Sequence, residues 1–129
     1  MYKIKLLRFA GIISLLFTFF HFLFPLMPEW ESTLNAMPTE MKSIFITYHY
    51  VVIAFLAGIG YISTFQAKSI INNPLKNSLM VMFSALYLIR IITEFTCWKA
   101  PMPQAIIVLP LCIIPLTIYV LVLVKKANG

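Results

Sequence analysis

Four ionisable side chains, His21, His49, Arg90 and Glu94, lie inside otherwise apolar stretches of this 129-residue chain. Ionisable groups inside a bilayer are costly, so they turn toward a bundle interior or a cavity and mark ion pairs, ligand contacts or proton paths. These four residue types admit several chemistries. Arg90 and Glu94, one helical turn apart, can neutralise each other while the histidines hydrogen-bond to them, fixing which helix packs where. Arg90 can instead receive a carboxylate or lipid head group in a pocket open to the outer face, with Trp30, Tyr48, Tyr50 and Trp98 at its mouth. Aromatic residues also gather at membrane interfaces without any ligand.

Two imidazoles at equal depth also suit bis-histidine ligation of haem b, and His21, His49 and Glu94 together form a two-histidine, one-carboxylate set for a transition metal. A cationic Arg90 opposes a cation site unless it serves a haem propionate. A proton relay through His21, His49 and Glu94 stays equally open. Hydrolysis has the least support: the chain has no nucleophile elbow, no H-E-x-x-H, no carboxylate pair on one helix and no aspartate.

The elements that position these groups follow from composition. The chain is 61% hydrophobic and 11% charged, with a mean hydropathy of +0.93. A soluble domain carries about a quarter charged residues, and a disordered chain far fewer apolar ones. A bilayer core takes roughly 20 apolar helical residues to cross, and four such runs appear at about 9–27, 44–65, 77–98 and 104–124. Continuous runs favour helices over barrel strands, and short loops imply an antiparallel up-down-up-down bundle in one domain, 1–129. Pro110 and Pro115 predict a kink in span four, and Ala54 and Gly58, with Ala57 and Gly60 nearby, predict close helix packing in span two.

Basic residues collect in short cytoplasmic segments. Lys3, Lys5, Arg8, Lys68, Lys76, Lys125 and Lys126 fall on one side, and Glu29, Glu31, Glu40, Lys42 and Lys99 on the other. Both termini are therefore expected in the cytoplasm, and the net charge of +6 reads as a topology signal, not a nucleic-acid surface. The long, bulky first run reads as a retained helix, not a cleaved signal peptide, and no lipidation signal is visible. Cys97 and Cys112 differ in depth by about 12 Å and read as unbridged apolar fillers. In the first outer loop, Ser32 or Glu31 is expected to open a short interfacial helix ending before Pro38, with Trp30, Leu34 and Met37 toward the membrane; Thr39 is expected to cap span two. Asn72-Asn73-Pro74 signals an inner turn.

Depth and spacing bring the polar groups together. His21, His49 and Glu94 lie roughly 6 to 8 Å inside the outer boundary at 1.5 Å per residue, with Arg90 one turn deeper. Gly11, Ser14, Thr18, His21 and Pro25 form one stripe of span one. Tyr87, Arg90, Glu94 and Cys97 form another on span three, and His49 shares a face with Leu56, Gly60 and Ser63. Span four contributes Gln104 and little else at this level.

His21 followed by Trp30 and Leu34, then Tyr87, Arg90 and Glu94 next to Phe95, resembles a group of small, uncharacterised bacterial four-span membrane proteins. The resemblance covers nearly the whole chain. It implies a bacterial inner membrane and carries no known activity, cofactor or ligand. Glu94 stands where that group more often has glutamine, so a permanent salt bridge is not implied as a group feature. The expectation is a membrane binding or interaction protein that contacts the lipid bilayer and an anionic small molecule or lipid, without nucleic acid and without a resident cofactor. A membrane-protein partner or a second copy of the chain is open. The alternatives are a redox protein holding haem or a metal through His21 and His49, and a purely structural subunit of a membrane complex.

Overall fold

A computed structural model describes residues 1–96 and 102–124, with only the backbone described for 102–105. In chain order the helices are α1 (Tyr2–Leu23, continued by a 3-10 turn over Phe24–Leu26), α2 (Pro28–Asn35), α3 (Thr39–Phe65), α4 (Ala67–Ile71), α5 (Lys76–Thr96) and α6 (Met102–Val124). Among the described residues there is no strand, and α1, α3, α5 and α6 are long and apolar enough to cross a membrane. The chain is an all-α bundle of four such helices. In lipid each backbone polar group must bond within its own segment, which is why runs rich in Leu, Ile and Phe become helices here. Bulky side chains such as Phe9, Ile12, Leu16 and Phe19 stay exposed on the outside of α1, the surface a lipid would cover.

Prolines set two helix starts differently from expectation. The short helix α2 opens at Pro28, with Met27 as its cap, and not at Glu31 or Ser32. Proline suits a first helical position because its missing N–H is unpaired there anyway, and Glu29 and Glu31 then face the positive end of the helix dipole. Trp30 and Leu34 are half-buried on it and Met37 just beyond it, with Trp30 packed on Phe45 and His49 of α3. Likewise Thr39 is the first residue of α3 and not its cap; extended Pro38 holds that place, its carbonyl accepting the Lys42 N–H at 3.0 Å.

Between α3 and α5 the chain forms α4, an element its sequence did not announce. Ala67 and Ile70 are buried, and α4 packs against α1. The expected turn follows, with Asn73 Oδ1 accepting the Leu75 N–H at 2.8 Å. By carrying the chain beneath α1, α4 separates two consecutive spans. α3 packs on α1, α1 on α6 and α6 on α5, whereas α3 and α5 lack an extended contact among the described residues. Short loops alone would have placed α3 and α5 side by side.

The α1–α3 crossing rests on Gly11 and Gly60. A methyl group on Gly11 would meet the Thr64 backbone nitrogen at 2.6 Å and the Gly60 carbonyl oxygen at 2.9 Å; one on Gly60 would meet Leu15 Cγ at 2.7 Å. Ala54 and Gly58 do not share this role. Nothing lies within 4 Å of a methyl built on Gly58, and both residues floor the cleft between α3 and α5. The physical reason is angular: Gly58 and Gly60, two residues apart, point to opposite sides of a helix with 3.6 residues per turn.

The core gathers Leu7, Ala10, Phe17, Leu56, Ile59, Met80, Phe83, Val108, Cys112 and Tyr119. Cys112 is a buried filler, as expected, while Cys97 lies outside the described residues. α6 continues as one helix through Pro110 and Pro115, the latter buried.

Candidate functional site

The polar stripe of α1 turns inward as its spacing predicts: Gly11, Ser14, Thr18 and His21 are all buried, and only Pro25, in the 3-10 turn, is exposed. The hydroxyls bond down their own helix, Ser14 to the Ala10 carbonyl at 2.9 Å and Thr18 to the Ser14 carbonyl at 2.8 Å. His21 Nδ1 lies 2.9 Å from the Phe17 carbonyl. A carbonyl only accepts, so Nδ1 carries the proton and, in a neutral ring, Nε2 presents its lone pair. His49, on the inward face of α3 with Ile53, Leu56, Gly60 and Ser63, is 9% exposed. The two imidazole centroids are 6.1 Å apart with planes 30° from parallel.

Around them stands an aromatic shell. Trp30 from α2 sits 4.6 Å from His49 and 5.2 Å from Phe45, and Phe24 stands 4.9 Å from His21 and 5.9 Å from His49, all between ring centroids. Together with Tyr48, Val52 and Arg90 these residues line a cavity of about 270 Å³ at the end of the bundle that carries α2. Arg90 Nη1 is ion-paired with Glu94 Oε2, one turn on, and the two side chains are 34% and 9% exposed. His49 Nε2 is buried with no hydrogen-bond partner among the described residues.

The cavity continues inward. A second chamber of about 190 Å³ shares His21, Val52 and Arg90 with the first and is otherwise walled by Phe17, Phe55, Leu56, Leu86, Tyr87, Ile89 and Thr93. Phe55 also borders a third space of about 330 Å³, lined by Ala54, Gly58, Ile59, Ile62, Met82 and Phe83. The three spaces adjoin along α3 and α5, the first and second sharing His21, Val52 and Arg90 and the second and third sharing Phe55, and their lining becomes apolar away from the histidines.

Of the sequence candidates, His21, His49, Arg90, Trp30 and Tyr48 meet at the 270 Å³ cavity, and Glu94 reaches it through Arg90. Tyr50 is exposed and touches only the edge of His49, outside the cavity lining, because its place next to His49 turns it about 100° around the helix. Trp98 lies outside the described residues, as does the side chain of Gln104. Phe24 and Phe45 were missed, although each stands one turn from a histidine. Among the described residues, no group of three or more His, Cys, Asp or Glu is placed to hold a metal ion. His21 and His49 are the residues that could ligate a haem iron.

A second polar assembly, deeper in the bundle, was also missed. Tyr87 Oη donates to Ser14 Oγ at 2.6 Å, and Tyr119 Oη lies 3.2 Å from Ser63 Oγ and 3.4 Å from Ser14 Oγ. Four hydroxyls from α1, α3, α5 and α6 thus converge. Tyr119, an aromatic hydroxyl in a mostly aliphatic stretch, was the available signal. No protein-family model, curated protein or solved structure matches the chain.

Proposed function

We propose that the chain is a multi-pass protein of a bacterial inner membrane, both termini cytoplasmic, that binds an anionic group in its outer cavity. The group belongs to a small molecule or a lipid head. Arg90 receives it, His49 hydrogen-bonds to it, His21 does so through Nε2–H when its ring is protonated, and Glu94 positions Arg90; no catalytic residue is assigned. The observation that carries this reading is the unpartnered His49 Nε2 lining the same cavity as Arg90. A buried polar atom without a partner costs about 1–3 kcal/mol, and a ligand that supplies one recovers that cost. One bond to Glu94 leaves further guanidinium donors for a planar anion. The basic flanks support the orientation.

The test uses the full chain in phosphatidylcholine nanodiscs with Trp98→Phe, so that Trp30 reports alone. Titration with butyrate and inorganic phosphate is expected to change Trp30 emission saturably, and Arg90→Gln to weaken that response about tenfold or more, equivalent to about 1.4 kcal/mol. No saturable response, or one indifferent to Arg90→Gln, overturns the reading.

The second reading is a redox protein. It is supported by the 6.1 Å imidazole pair and by the Nδ1–H bond of His21, since ligating histidines commonly donate their other nitrogen to a carbonyl. A Soret band in protein purified from native membranes, lost in His21→Ala or His49→Ala, would favour it over anion binding.

A further inference from the structure

We infer that the ligand of the outer cavity is a long-chain amphiphile with an anionic head, whose single chain lies in the cleft between α3 and α5. This rests on the anion-binding reading and adds the tail. The polar end supplies the charge complementarity: Arg90 and the unpartnered His49 Nε2 can meet an oxygen-rich head. From there the adjoining spaces lead inward past Tyr87 and Thr93 and then Phe55 to an all-apolar cleft, with Ala54, Gly58 and Ile62 on one side and Met82 and Phe83 on the other. From His49 to Ile62 the helix rises about 20 Å at 1.5 Å per residue. A single leaflet of hydrocarbon is about 15 Å deep, half of a 30 Å core, so the groove accommodates a chain of leaflet length.

Two features distinguish this cleft from an ordinary lipid-facing surface. The spans that flank it are consecutive in the chain yet lack an extended contact with each other among the described residues. Gly58 also leaves room along α3 that no side chain of the bundle enters, unlike Gly11 and Gly60, which are filled by a crossing helix. A chain lying there joins a polar site to a shaped apolar channel, a combination that annular lipid on the outer faces of α1 or α6 does not meet.

The experiment is photolabelling of the full-length protein in phosphatidylcholine nanodiscs with hexadecanoate carrying a diazirine in mid-chain. Labelled peptides are expected to map to Ala54–Ile62 and Met82–Phe83, and excess unlabelled hexadecanoate to reduce labelling about tenfold. Hexadecyltrimethylammonium, with the same tail and the opposite charge, is expected not to compete. Gly58→Leu should abolish groove labelling while retaining the Trp30 response to butyrate; Met82→Phe, from the facing wall, should do the same should Gly58→Leu lower yield. Labelling spread over the outer faces of all four spans and not competed by hexadecanoate overturns the inference. A preserved butyrate response with uncompeted labelling removes the tail alone. Competed groove labelling indifferent to Arg90→Gln removes the anionic head and leaves a hydrocarbon site.

Discussion

Gly11 and Thr64 meet backbone to side chain and backbone at the crossing of α1 and α3, and the Thr64 backbone nitrogen lies 2.6 Å from where a Gly11 methyl would stand. Backbone cannot rotate aside as a side-chain tip can, so the helices themselves must part. Gly11→Ala is expected to destabilise the bundle by about 1–3 kcal/mol, the usual cost of overpacking. Gly58→Ala meets nothing and gains helix propensity, so it should be neutral or stabilising by about 0.5–1 kcal/mol. Denaturation in mixed micelles measures both. Equal effects at the two glycines would show that the crossing is not where the structure places it.

The hydroxyl assembly should be a stability device. Tyr87→Phe removes the donor to Ser14 and Tyr119→Phe the partner of Ser63. Hydrogen bonds between membrane helices contribute modestly, so each change should cost about 0.5–2 kcal/mol. Because both tyrosines address Ser14, the double variant should lose less than the sum. Strict additivity in the cycle would indicate independent bonds.

Arg90 and Glu94 differ in how much each depends on the other. Glu94 is 9% exposed, so removing its cation strands a carboxylate, and Arg90→Leu should cost about 1–3 kcal/mol. Glu94→Gln keeps an acceptor for the guanidinium and should cost less than about 1 kcal/mol. The double change Arg90→Leu with Glu94→Leu should recover most of the Arg90→Leu loss while leaving butyrate binding abolished. Recovery of binding as well would assign the pair to packing alone.

The proposed orientation predicts labelling at single cysteines in a background lacking Cys97 and Cys112. Thr33→Cys on α2, an exposed position, should react with an impermeant maleimide in spheroplasts. Asn72→Cys, exposed at the turn between α4 and α5, should react only after permeabilisation. The reverse pattern would invert the topology, and with it the face to which the cavity opens.

The sequence alone determined much of this protein. Four charge-poor runs of spanning length dictate four helices, because a bilayer leaves the backbone no other way to satisfy its bonds. Helical spacing also determined that Ser14, Thr18, His21 and His49 point inward, since residues three and four apart share a face whatever that face packs against. It did not determine the partner of each face. Gly58 and Gly60 look alike in the chain, yet one meets Leu15 and the other open space. Phe24, Phe45 and Tyr119 became visible as lining or network residues only once the helices were set beside one another. One element of that packing is α4, too short to register in the pattern, which buries Ala67 and Ile70 and packs on both α1 and α3. Helix existence is a local balance of propensity and solvent; which helices touch depends on long-range packing, and the cleft that extends the polar cavity is a product of that packing.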